Sequence, residues 1–172
     1  MNALRLTSGR ALLPALLLFA GLLGGGHAGP LAAEDAAVLE VLDDQGERLL
    51  AIPMPEGTGW CLEWNHSVEG FAVLDCYRHR DGRMVLQRSH LPDFAAGLDH
   101  IPGRGRQVSD GKGGYWIEDI DEPVPGNAYR LRVGSMSVDH RLVTDSSRVS
   151  LSALAADRRV TVRLAVPSPS PD

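Results

Sequence analysis

Trp60–Cys61–Leu62–Glu63–Trp64–Asn65–His66–Ser67–Val68–Glu69–Gly70–Phe71–Ala72–Val73–Leu74–Asp75–Cys76–Tyr77 is the stretch whose reading decides the fold. It contains two β-rich runs around the turn-forming cluster His66 to Gly70, and it holds both cysteines of the chain. If Cys61 and Cys76 face each other across an antiparallel pair, residue numbers on the two strands sum to 137. The turn then centres between Val68 and Glu69, where the turn residues lie. Strand alternation puts Cys61, Glu63 and Asn65 on one face and Trp60, Leu62, Trp64 and His66 on the other. Their partners on that second face are Tyr77, Asp75, Val73 and Phe71. Its aromatic content makes it the core side, so Asp75 and His66 each need a polar partner there. A staple closing so short a loop is worth roughly 3 kcal/mol in the chain-entropy view. Without a Cys-x-x-Cys spacing, a redox role is disfavoured.

Either side of this hairpin the chain repeats the same pattern. Short alternating runs recur at Val38–Leu42, Glu47–Ile52, Arg83–Arg88, Tyr115–Ile120, Tyr129–Val133, His140–Thr144, Arg148–Leu151 and Arg159–Val166, separated by turn residues. No window sustains the three-and-four apolar spacing of a helix, although Pro92 to Leu98 has room for one helical turn. The expected class is all-β, a single-domain antiparallel β-sandwich or partly open barrel over residues 29–166. Pro102 to Gly114, with five glycines, reads as a long mobile loop, and its spacing does not fit a phosphate-binding P-loop. Ser146–Ser147 and Ser150 to Ser152 read as strand and turn, Trp116 as a core residue, and residues 167–172 as a disordered tail.

The first 28 residues carry Arg5 and Arg10, no acid, and a 13-residue apolar run from Ala11 to Leu23. That run is short for a membrane span and reads as a signal peptide cleaved after Ala28, with Ala33 as the competing site. Export places the chain in an oxidising compartment, the periplasm, where two cysteines normally bond. Without its two leader arginines the chain has 15 basic and 22 acidic residues, a net −7. Such an acidic surface disfavours nucleic acid as a partner and allows at most a peripheral contact with membrane. Hydrophobic residues at 44% and charged residues at 23% exclude a disordered chain.

Trp64–Asn65–His66–Ser67–Val68–Glu69, with the acid-x-Tyr of Asp75–Cys76–Tyr77, resembles the bacterial domain of unknown function 1850 family. Asp93–Phe94–Ala95–Ala96–Gly97–Leu98 and Arg132–Val133–Gly134 with His140 downstream are similar to further family segments. Asp99 stands where the family commonly has proline, and the Gly/Arg loop is longer than usual. The resemblance implies a small exported protein encoded beside, or fused to, permeases of the tripartite periplasmic (TRAP) type that use TAXI-class binding proteins. It implies an accessory role in solute uptake, with the permease or its solute-binding protein as partner, and it carries over no catalytic residue.

His66, Ser67, Glu69, Asp75, Arg132 and His140 are the candidate binding residues. Imidazole and carboxylate together can hold a divalent metal or a small molecule, which is the alternative function. The spacing singles out no metal, and no cofactor is expected. The blander reading has His66 closing its turn through backbone bonds, Glu69 paired with Arg132 or another arginine, Asp75 with a core histidine or arginine, and His140 a sheet residue. There is no Gly-x-Ser-x-Gly elbow, and Ser67 beside His66 along the chain does not make a triad, so the chain reads as non-catalytic.

Overall fold

The computed structural model describes residues 36–68, 70–92 and 103–167. The leader, Glu69, the segment Asp93–Leu98 and all but the first residue of the tail 167–172 lie outside the described residues.

Two antiparallel sheets face each other. The first has four strands in the order β2-β1-β12-β9, with β1 at Val38–Asp43, β2 at Arg48–Pro53, β9 at Ala128–Arg132 and β12 at Arg159–Ala165. The second contains β3 (Gly59–Asn65), β4 (Ala72–Arg80), β5 (Arg83–Leu91), β6 (Arg106–Ser109), β7 (Tyr115–Glu118), β10 (Arg141–Val143) and β11 (Arg148–Ser150), in the order β11-β10-β3-β4-β5-β7-β6. A two-residue strand, β8 (Glu122–Pro123), also pairs with β5. The sheets do not close on themselves, so the fold is a sandwich and not a barrel.

The hairpin register agrees with the cysteine spacing at every position: Trp60 faces Tyr77, Leu62 faces Asp75 and Trp64 faces Val73, with the Cys61–Cys76 disulfide between them. Trp60 and Leu62 then point inward, onto Leu39, Val41, Val160, Val162 and Leu164 of the four-stranded sheet. These strands are rich in β-branched and leucine side chains on that face, which suits a pleated, half-buried surface. Leu91, Tyr115 and Ile117 form a second, smaller buried cluster.

Between β4 and β5 the register slips by one, Cys76 facing Arg88 but Tyr77 facing Leu86, so Gln87 is a bulge. Because side chains alternate, that extra residue reverses the faces of everything after it. Ser89 therefore faces Asp75 from the inner side, where an unbulged strand would present Arg88.

Three expectations change. The stretch Pro102 to Gly114 contains β6, which pairs with β7, and Asp110 holds the glycine turn by accepting from the N–H groups of Lys112 and Gly114 at 2.7 and 3.0 Å. Gly114 is compact from necessity: a Cβ there would lie 2.7 Å from the Pro92 Cα. Second, Ser150 ends β11 and caps a short helix, α1 (Leu151–Ala155), by accepting from the Ala153 N–H. A five-residue helix offers no periodicity to detect. Third, Trp116 is half-buried on the outer face, under the Arg88 guanidinium and beside His90, while its neighbour Tyr115 takes the core position.

Because the disulfide spans 15 residues of sequence, replacing both cysteines by alanine is expected to lower unfolding stability by about 3 kcal/mol, measured by denaturant titration.

Candidate functional site

The Trp64–Val68 motif ends β3 and forms the turn into β4. The His66 N–H donates to the Phe71 carbonyl at 2.7 Å, and the His66 carbonyl accepts from the Gly70 N–H at 2.9 Å. Its ring stacks on Phe71 at 5.1 Å. The backbone of His66 thus closes the turn, Ser67 is exposed, and Val68 projects outward with 80% of its surface accessible. Asn65 ties this turn to the loop between β9 and β10: its N–H donates to the Val138 carbonyl at 2.7 Å and its side-chain amide to the Ser137 carbonyl at 3.3 Å. Met136, 58% exposed, is on that loop.

His140 lies just before β10, not on it, and is buried. Its Nδ1 accepts from the Gly134 N–H at 2.9 Å, which places the ring proton on Nε2. The ring stacks on Trp64 at 6.0 Å. Gly134 follows from the same tight packing, since a Cβ would meet the Val138 Cβ at 2.7 Å. Burial, with the nearby Arg141 charge, holds the His140 pKa below its ordinary 6.5 against the pull of Asp139.

Asp75 sits on the inner face with Ser89, whose hydroxyl donates to Oδ1 at 2.5 Å. This corrects the expected histidine or arginine partner; Arg104 is close enough to attract the carboxylate but itself bonds Glu122 at 2.6 and 2.8 Å. Burial is the largest effect and raises the Asp75 pKa above the ordinary carboxylate range. The same residues, with Trp64, Val73, Leu91 and Ile117, line a recess of about 230 Å³. Next to Asp75, Tyr77 stacks between Trp60 at 5.5 Å and Tyr129 of the opposite sheet at 5.2 Å. Burial raises both phenol pKa values and keeps them protonated. The Trp60 indole N–H opposes the shift at Tyr129, at a geometry short of a hydrogen bond.

Arg132 is elsewhere, exposed on β9 of the four-stranded sheet, and makes no ion pair with a described residue; Glu69, its expected partner, lies outside them. The structure thus brings His140 to Trp64 and Asp75 to the recess that Trp64 lines, but sets Arg132 on the other sheet. Among the described residues, no three His, Cys, Asp or Glu side chains assemble as metal ligands.

One polar cluster was not anticipated. On the outer face, Glu63 receives Arg141 at 2.8 Å and both carboxylate oxygens bond Arg148. Arg141 also bonds Asp139 at 2.6 Å and Asn65 at 2.9 Å. Glu63 is only 8% exposed, so these bonds satisfy a carboxylate that would otherwise be costly to bury, and they tie β3 to β10 and β11. Alternation already places Glu63 on the cysteine face, but its partners come from strands about 80 residues away and carry no local signal.

Two pH effects follow. A carboxyl whose pKa is raised by folding binds its proton more tightly in the native state, so stability falls as pH rises from the ordinary Asp value towards the raised one. Asp75→Asn, which keeps the acceptor for Ser89, is expected to raise Tm at neutral pH and leave it unchanged in acid, by thermal unfolding at both pH values. His140 has the depressed pKa, so its contribution is present above 6.5 and is lost as pH falls through the folded value. Tm should decline between about pH 7 and about pH 5, and His140→Gln should flatten that decline.

No curated protein and no solved structure matches the chain. The family described as Domain of unknown function (DUF1850) matches residues 61–151, from the first cysteine of the β3–β4 hairpin to the first residue of α1. That span includes the motif turn, Asp75, Arg132 and His140, and it covers more than half of the chain, which therefore belongs to the DUF1850 family.

Proposed function

We propose that this protein is an exported, non-catalytic accessory of a TRAP-type uptake system of the TAXI class, acting by docking on the permease or its solute-binding protein. The observation that carries the reading is Val68. The His66 backbone closes the motif turn, which presents Val68 to solvent, with Met136 exposed on the loop to which Asn65 ties it. A valine presented to solvent has few rotamers to lose on association, because its branched Cβ already restricts χ1, and this suits a docking anchor. The disulfide supports a periplasmic setting, because such a bond persists under oxidising conditions. The imidazole of His140 and the carboxyl of Asp75 are engaged in local bonds, which supports a structural use for both.

A second reading, a small-molecule or divalent-metal-binding module, draws on the recess at Asp75. Its mix of polar Asp75, Ser89 and Arg104 with apolar Trp64, Val73, Leu91 and Ile117 is the usual make-up of a ligand site, although it is smaller than most. Saturable, ligand-dependent shifts in Tm during a calcium, zinc and solute screen, abolished in Asp75→Asn, would favour it.

Val68→Asp is expected to abolish co-purification with the neighbouring permease or binding protein while changing stability by less than about 0.5 kcal/mol, as an exposed position should. Undiminished co-purification of this folded variant would remove the docking assignment.

A further inference from the structure

The outer face of the four-stranded sheet carries an arrangement of charge that the fold does not need. Alternation along β9 turns Tyr129 and Leu131 into the core and Arg130 and Arg132 outward; along β12 it turns Val160 and Val162 inward and Arg159, Thr161 and Arg163 outward. In the register of the two strands Arg132 lies directly opposite Arg159, and Arg130 opposite Thr161. Like charges facing each other across an antiparallel pair are destabilising.

The neighbouring arginines show how this sheet treats a guanidinium it uses structurally. Arg163 bonds Glu40 at 2.6 Å, Arg48 bonds the other oxygen of Glu40 at 3.1 Å, and Arg158 bonds Asp43 at 2.9 Å. Arg130, Arg132 and Arg159 make no ion pair with any described residue. Three exposed arginines on this face thus stand without an ion pair among the described residues.

They are also beside a concavity. Arg130, Arg159, Arg163, Thr161, Asp43 and Asp44 are among the residues around a recess of about 430 Å³, within the range of small-molecule sites. The Asp43 carboxylate is already held by the N–H groups of Glu47 and Gln45 and by Arg158, which is why its pKa is low. The Arg158 guanidinium offsets the Asp43 charge towards an incoming anion. Asp44, exposed at the rim, limits the charge that fits.

We propose that Arg130 and Arg159 form a binding site for a small anion, a carboxylate or phosphate, with Arg132 raising the local potential. Planar guanidinium groups match both anions through paired N–H donors. An extended anionic surface is disfavoured because the chain as a whole is acidic, with a net charge of −5. The site is on the other sheet from the motif turn, and it stands independently of the docking reading.

Titration calorimetry of the purified protein with succinate and with inorganic phosphate tests the assignment. The expected result is saturable one-to-one binding of at least one anion, about tenfold weaker in Arg159→Gln and in Arg130→Gln and unchanged in Arg83→Gln on the other sheet. Without ligand, Arg159→Gln should unfold at the same or a higher temperature than the parent, since it removes a like charge paired across the strands with Arg132. Absence of saturable heat with either anion, equal affinity in the parent and both recess variants, or a lower Tm for unliganded Arg159→Gln would each overturn the proposal. Binding confined to vesicles containing anionic phospholipid would also overturn it, by assigning the arginines to a lipid headgroup.

Discussion

The pairing of β3 with β4, held covalently at Cys61–Cys76, is the constraint on which the rest of the structure depends. A slip of one residue in this pair would exchange the faces of both strands, exposing Trp60 and Leu62 and burying the side-chain positions of Glu63 and Asn65 in the apolar core. The disulfide forbids that slip. Once the register is set, Trp60 and Leu62 must seek apolar cover, and the four-stranded sheet supplies it through Leu39, Val41, Val160 and Val162. The Trp60–Tyr77–Tyr129 stack runs from one sheet to the other and extends the same inner face as ring-on-ring contact.

The register also places a carboxyl where it costs most. Asp75 is an inner-face residue by alternation, and its burial is tolerable because the bulge at Gln87 turns the Ser89 hydroxyl towards it. The bulge thus satisfies a polar group that the β3–β4 pairing had already committed to the interior. On the opposite face Glu63 meets the same requirement differently, with two guanidiniums from β10 and β11. Buried charge of this kind is a weak source of net stability; losing one partner is far more damaging than the pair is helpful.

Polar residues of the motif region therefore divide into those absorbed by the fold and those left outward. His66 closes a turn, His140 accepts a backbone N–H, Asp75 accepts a hydroxyl and Asn65 binds a neighbouring loop. Among the described residues, those left outward include an exposed valine at the turn and, on the other sheet, three arginines without an ion pair. The functional proposals rest on these outward side chains.

The amino-acid sequence by itself determined the all-β class, the hairpin between Trp60 and Tyr77, its register and its inward face. All of these follow from period-two alternation, turn chemistry and the reach of one disulfide, which are local properties. The fate of Asp75, the Glu63 network and the Arg132–Arg159 pairing depended on strands distant along the chain, so only tertiary structure decided them. The strand within Pro102–Gly114 was hidden by its glycines, which signal loop wherever they occur; pairing with β7 overrode that preference. Helix α1 was too short for a periodic pattern, and Trp116 could be placed only once the faces of β7 were known. Alternation says which residues share a side, but which side is covered, and by what, is settled by the packing of one sheet on the other.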